Sequence, residues 1–238
     1  MKLLWIVPYA PNPVRVRAYQ FLRTLAGRGH TITLATLWSN EAERGDLAAL
    51  EEMGIRVLDA RLSRERTLWN ALRTVPTRRP LQARFADTPA LRAAIAEELR
   101  TNPPDAIHVE HLRGAPYALA VHDDYRSHAA GWRPPLVWDS VDCISLLFAQ
   151  AAAQSASARG RWMAKLELPR TQRAEASLPR LFDHTVVTAA GDADALHALA
   201  GADAPITVVP NGVDLAGFAP PAPDRVRAAA RIIFSARS

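Results

Sequence analysis

The sequence predicts a doubly wound α/β domain built on a mainly parallel, Rossmann-like sheet. Short apolar or β-branched runs alternate with stretches of helical periodicity along the whole chain. No internal repeat interrupts that alternation. The chain opens on strand, loop, helix and strand, a βαβ unit whose right-handed crossover implies parallel pairing.

The elements follow in order. Leu3 to Val7 is an apolar strand, and Pro8 to Pro13 is a rigid loop leaving its carboxyl end. Residues 15–28 form a helix, with Ala18, Tyr19, Leu22, Leu25 and Ala26 on one face and Gly27 and Gly29 as stops. Thr31 to Leu37 is the second strand, 43–53 a helix, and Ile55 to Leu58 the third strand. Residues 65–75 and 88–100 are amphipathic helices, the second announced by Asp87-Thr-Pro89. Strands four and five are Asp105 to Val109 and Pro135 to Trp138. A long helical region opens at Asp142, with an interruption expected at Pro169 and a further helix to about Leu178. Phe182 to Val187 is a sixth strand and 191–199 a helix. Ile206 to Val209 reads as a buried seventh strand, ended by Pro210.

Composition narrows the class without choosing a partner. With 238 residues, 49% of them hydrophobic and 22% charged, the chain can bury a large core and is not disordered. The formal charge is +5, carried almost wholly by arginine, since only Lys2 and Lys165 are lysine. Such a balance suits nucleic acid, anionic membrane or phosphorylated substrates alike. No nucleic-acid module is present, so that partner is set aside. Cys143 is the single cysteine, which excludes an internal disulfide and a cysteine-ligated metal cluster and fits a cytoplasmic protein. The apolar start is too short for an export signal or a membrane span.

Ligands of open α/β sheets gather beyond the carboxyl ends of the strands, and four groups of residues fall there. Asn12, Arg15 and Arg17 stand in the first loop and at the helix start, where guanidinium groups and the helix dipole can grip phosphate or carboxylate. No G-x-G-x-x-G follows the first strand, which argues against dinucleotide binding. In His108-Val-Glu-His-Leu-Arg113, strand alternation sets His108 and Glu110 on one side and Val109 and His111 on the other, until the loop begins. Glu110, His111 and Arg113 are therefore expected at the strand end. His108 and His111 do not share a face and no third ligand is in view, so no metal site is expected. In Asp139-Ser-Val-Asp-Cys-Ile-Ser145, Asp139 and Ser140 bring hydrogen-bonding groups to the strand end, Asp142 is favoured as a helix cap, and Cys143 is a small buried filler. Asn211-Gly212 supplies a sharp turn after the last strand.

The string Ile206-Thr-Val-Val-Pro-Asn-Gly-Val-Asp-Leu-Ala-Gly-Phe-Ala-Pro220 resembles the segment that closes the N-terminal domain of GT-B glycosyltransferases of the family four type. The opening loop is similar too, though it lacks the glycines of many members and has instead Pro-Val-Arg-Val-Arg17. The resemblance implies a domain over 1–218, an interdomain linker over 219–229 and the first strand of a second, nucleotide-sugar domain over 230–238. It implies a retaining transfer from a nucleotide-sugar donor to a sugar or lipid-linked acceptor, without a cofactor, in cell-envelope or exopolysaccharide synthesis. The chain would then be the acceptor-side half and inactive alone. Members carry an H-x-H-like histidine near the reacting sugar; here the second place is Glu110, with His111 displaced by one, so both are the expected catalytic residues. Arg113, Asp139, Asn211 and Gly212 join Asn12, Arg15 and Arg17 as expected substrate contacts. Glu167, Arg170, Arg173 and Glu175 resemble an E..R…E region, and read as a salt-laced helix face. The arginine-rich stretch Arg61 to Arg84, with Leu68, Trp69, Leu72 and Val75, reads as a core-facing helix, or as one resting on anionic lipid as in relatives. Competing implications are a non-catalytic binding domain for an anionic sugar or headgroup, and a GT-B-type sugar-nucleotide epimerase fragment.

Overall fold

A computed structural model describes residues 1–127 and 133–212 of the chain. Seven strands pair in parallel: β1 (Lys2–Val7), β2 (Thr31–Trp38), β3 (Arg56–Arg61), β4 (Ala106–Glu110), β5 (Leu136–Val141), β6 (His184–Val187) and β7 (Ile206–Val208). Their order across the sheet is β3-β2-β1-β4-β5-β6-β7. The helices are α1 (Val16–Gly27), α2 (Glu41–Glu52), α3 (Arg64–Thr74), α4 (Leu81–Phe85), α5 (Pro89–Thr101), α6 (His111–Ser127), α7 (Ile144–Gln154), α8 (Ala158–Leu181) and α9 (Ala190–Ala200). The expected linker and the strand over 230–238 lie outside the described residues, as do Val213, Leu215 and Phe218.

Period-two alternation builds both faces of the sheet. In β1, Trp5 and Val7 point into a core with Ile32 and Leu34 of β2 and with Leu22, Leu47 and Leu50 of α1 and α2. Leu4 and Ile6 point the other way, into a core with Leu37, Ile107, Val109, Leu136 and Trp138, covered by α5, α6 and α8. A third, smaller cluster joins Cys143, Val187, Ala193 and Leu196 under α9. Continuous apolar strands follow from this double cover.

The differences from expectation have physical causes. Two helices were not anticipated, α4 and α6. Gly114 and Pro116 read as breakers, yet α6 runs through both, with Pro116 inside the helix giving up its bond to Leu112 O. Gly114 has a packing reason: a Cβ there would meet Val109 Cγ1 at 2.8 Å, so only glycine lets α6 approach the sheet this closely. Pro169 does not interrupt α8, which runs through it and Pro179. The break comes earlier, at Ser155–Ser157, where the Ser157 hydroxyl caps Gly160 N–H. β7 is an edge strand with Thr207 and Val208 exposed, not a buried one. The side chain of Asp142 does not cap α7; its Oδ1 accepts a 3.4 Å hydrogen bond from Thr188.

Glu175 supplies that cap from the neighbouring helix. Its carboxylate accepts from Ile144 N–H at 2.7 Å and Ser145 N–H at 3.1 Å. Glu167 does the same for α4, accepting from Leu81 N–H at 2.7 Å. Both are buried, so this stretch of α8 is not a solvated, salt-laced face. On α3 the reverse holds. Thr74 is its one buried residue, and Leu68, Trp69, Leu72 and Val75 are each more than half exposed, so the helix does not turn its apolar side to the core.

Removing the Glu175 cap should strand two buried N–H donors. Glu175→Ala is expected to destabilise the chain by about 2–3 kcal/mol, within the range for unsatisfied buried groups. Glu175→Gln, which keeps an acceptor, should lose less. Urea unfolding of both variants measures this.

Candidate functional site

The sheet has its topological switch point between β1 and β4. From β1 the chain steps outward to β2 and β3, and β4 then pairs on the opposite side of β1. At such a point, in open α/β sheets, ligands bind in the crevice outside the carboxyl ends of the strands. Tyr9, just beyond β1, donates its hydroxyl to Glu110 Oε1 at the end of β4. Glu110 is 1% exposed and its Oε2 has no partner. Burial is the main reason its carboxyl is pushed up to about 7; Asp139 adds to the rise, and the Tyr9 hydroxyl and Arg17 oppose it. Burial, with Glu110 beside it, also pushes the Tyr9 phenol up. Near neutrality this carboxyl can hold or release a proton.

Asp139 sits next to it, within β5 and paired in register with Glu110. Arg17 Nε donates to Asp139 Oδ2 at 2.8 Å, and both side chains are buried. Arg17 Nη1 reaches further, to Val209 O at 3.0 Å and Asn211 Oδ1 at 2.9 Å. His108 stacks on Trp5, with ring centroids 3.8 Å apart, and sets its Nε2 3.5 Å from Asp139 Oδ2. Burial alone would raise the Asp139 carboxyl, but His108 and Arg17 outweigh it and hold it below the ordinary value.

His111 stands past the end of the strand, and what begins there is a helix and not a loop. The strand ends at Glu110, and His111 opens α6 with φ 65°. Its Nδ1 accepts from Arg113 N–H at 3.3 Å, which caps the helix and puts the proton of the neutral ring on Nε2. Burial lowers its pKa to about 4, with Arg113 adding to the fall and Asp139 opposing it. Burial also lowers the Arg113 guanidinium, whose Nε has no partner. Val141, with φ 68°, is the other non-glycine at positive φ among the described residues. It follows a register shift in β5 between Asp139 and Val141, and its N–H bonds Asp139 Oδ1 at 3.1 Å. Backbone strain of about 1–3 kcal/mol per site thus falls at the ends of the two strands that carry Glu110 and Asp139.

The other residues singled out by sequence lie along the same rim. Asn12 Oδ1 accepts from Val14 and Arg15 N–H, and its Nδ2 donates to Asp46, so its side chain holds the first loop in shape. Arg15 donates to Glu43 at 2.9 Å and to Ala10 O, with its guanidinium 5.0 Å from the Tyr9 ring centre. Asn211 and Gly212 are exposed in an irregular segment beyond β7, and neither takes a positive φ, so the sharp turn expected from this pair is not formed. Sequence reasoning missed Tyr9. The available signal was its position directly past the first strand, between Pro8 and Pro11. Buried polar atoms without hydrogen-bond partners cluster here: Arg17 Nη2, Glu110 Oε2 and Arg113 Nε. Such groups are uncommon and call for a ligand, a water or a functional reason.

Two stability measurements test this electrostatic arrangement. Arg17→Ala leaves Asp139 buried without its ion-pair partner and should cost about 3–5 kcal/mol. The double variant Arg17→Ala/Asp139→Asn should cost less than the sum of the single changes. For Glu110 the fold favours the protonated form. Its contribution is fully present below the ordinary value of 4.5 and is lost as pH rises through about 7. His111 works in the opposite sense: its contribution is present above 6.5 and lost as pH falls toward 4. Glu110→Gln removes only the first effect. Its advantage over wild type should therefore grow between pH 4.5 and 7, to on the order of 2–3 kcal/mol, in urea unfolding across that range.

Comparison with known families matches Glycosyltransferase Family 4 over residues 14–216. No curated protein matches the chain. Among solved structures, UGT2 of Phytolacca americana complexed with UDP-2fluoro-glucose and pterostilbene is 12% identical, with a TM-score of 0.49 over 88% of this chain. A UDP-glucosyltransferase of Polygonum tinctorium, capable of glucosylating indoxyl, is 16% identical with a TM-score of 0.43 over 89%. The chain spans about half the length of these structures, 54% and 52% respectively. The family match takes in every site residue described above from Arg15 to Gly212, and by it the chain belongs to Glycosyltransferase Family 4.

Proposed function

We propose that the chain is the acceptor-side half of a retaining hexosyltransferase that moves a sugar from a nucleotide-sugar donor to a hydroxyl acceptor in exopolysaccharide or cell-envelope glycan synthesis. The observation that carries this reading is Glu110: a buried carboxyl raised to about 7, with one oxygen unpartnered, at the sheet's switch point. A carboxyl poised near neutrality can accept a hydrogen bond from a sugar hydroxyl and take its proton as charge develops. His111, neutral and presenting Nε2–H, donates to the same sugar.

Arg113 and Arg15 supply positive charge along the crevice, while Asn12, Arg17 and Asp139 hold its walls. Asn211 and Gly212 shape the edge facing the donor domain that the family resemblance implies. Fixed groups of this kind act by positioning and by stabilising charge, without reorganising during the reaction. No cofactor enters the proposal. The exposed ridge of α3 and its arginines suit contact with an anionic membrane that carries a lipid-linked acceptor, each basic residue contributing about 1 kcal/mol near the surface. No helix among the described residues is long and apolar enough to cross a membrane.

The test uses the protein expressed from its complete reading frame, assayed for nucleoside diphosphate release. Glu110→Gln should lower kcat by roughly 10²-fold or more while the variant stays folded at pH 7, where it is expected to be more stable than wild type. Tyr9→Phe removes a bond that lowers the Glu110 pKa, so the acidic limb of the rate profile should move to higher pH. Full turnover by Glu110→Gln across the pH range would refute the role given to Glu110.

A further inference from the structure

Away from the carboxyl-end crevice, α3 and the start of α5 enclose a cleft of about 410 Å³. Five guanidinium groups line it, from Arg66, Arg73, Arg79, Arg84 and Arg92, and they face a single carboxylate, Asp87. That carboxylate is already engaged. Arg84 Nη1 and Arg92 Nε each approach it at 2.6 Å, and Arg92 is further fixed by Pro116 O. None of the ion pairs among the described residues includes Arg66, Arg73 or Arg79. Helical spacing explains part of the gathering. Positions 66, 70 and 73 share a face of α3, and Asn70 Nδ2 pins that face to Asp87 O at 2.8 Å. The Arg73 guanidinium lies 5.7 Å from the Trp69 ring centre, which orients it without neutralising it.

Like charges brought together at a concave surface repel one another, and a low-dielectric wall concentrates their field. An unpaired set of this kind is the arrangement that binds a compact polyanion, because guanidinium groups match phosphate oxygens two by two. We propose that this cleft is a second binding site, for a phosphate monoester or diphosphate group, held by Arg66, Arg73 and Arg79 with Arg84, Arg92 and Asp87 as a fixed wall. It does not rest on the role given to Glu110. The same chemistry is offered by a soluble phosphate and by a phospholipid headgroup, and the cleft opens beside the exposed ridge of Leu68, Trp69 and Leu72.

Binding of inorganic pyrophosphate to the whole protein, by calorimetry, tests the soluble source. Co-sedimentation with phosphatidylcholine vesicles, with and without phosphatidic acid, tests the headgroup. Arg66→Gln/Arg73→Gln should weaken whichever binding occurs at least about tenfold, the effect of losing one charge-assisted contact. Arg79→Gln alone should weaken it less. Arg159→Gln, an exposed arginine on α8, controls for bulk charge and should leave binding unchanged. Thermal melting confirms that the surface variants stay folded. The proposal is overturned if pyrophosphate fails to bind and phosphatidic acid adds nothing to vesicle binding, or if Arg159→Gln weakens binding as much as the double variant.

Discussion

Arg17 reaches from the first turn of α1 across the carboxyl edge of the sheet to Asp139, and the geometry of the rim depends on that reach. A carboxylate buried as deeply as Asp139 must be matched by a charge or it will not stay ionised. Because Arg17 sits on α1 and Asp139 on β5, the match requires the loop after β1 to be folded against a strand two places away in the sheet. The same guanidinium then holds Val209 O and Asn211 Oδ1, so the segment after β7 is tied to the start of α1. One side chain thereby sets three loops of the rim in register. Its charge also reaches Glu110, lowering a pKa that burial and Asp139 raise. Structure and proton affinity at the crevice are consequences of one pairing.

The strained residues make sense beside it. His111 and Val141 take positive φ immediately past Glu110 and near Asp139. At His111 the turn lets α6 start directly from β4, with no intervening loop, and Gly114 lets its first turn close on Val109. At Val141 it follows the register shift that aims the Asp139 backbone and side chain. A β-branched residue in this region is a costly choice, and it persists where the surrounding packing dictates it. The concentration of such positions on one rim fits a site kept rigid before any ligand arrives.

The sequence disclosed the strands and their parallel order class because apolar runs and β-branched residues are local signals. It disclosed the rim because strand ends can be counted. The β-side of the chain was therefore legible, and the caps were not. Glu175 caps a helix thirty residues before it in the chain, and Glu167 caps one farther still. No window of sequence contains both partners, so these glutamates looked like surface charges. α6 was missed for a similar reason: Gly114 and Pro116 carry local breaker chemistry, while the demand for glycine comes from Val109 across the packed interface. α8 passes Pro169 because burial of Ala164, Thr171 and Leu178 along it outweighs one lost helical bond. For the site, residue types were readable but their partners were not. Tyr9 gains meaning only when the fold brings it to Glu110.

Arginine serves two opposed ends in this chain, and the contrast decides how its basic surplus is read. At the rim, Arg17 is buried and joined to Asp139 and to the chain, so its charge is spent on shape. On α3, Arg66 and Arg73 flank a ridge of exposed apolar side chains and face a carboxylate that other arginines already hold. Composition treats these as the same residue and sums them to +5. Yet a paired, buried guanidinium contributes little field outside the protein, whereas unpaired ones at a concave surface contribute most of it. The external potential of the chain is therefore set less by its net charge than by where carboxylates are absent. Within the described residues, that points to the outer side of α3 and away from the crevice at Glu110.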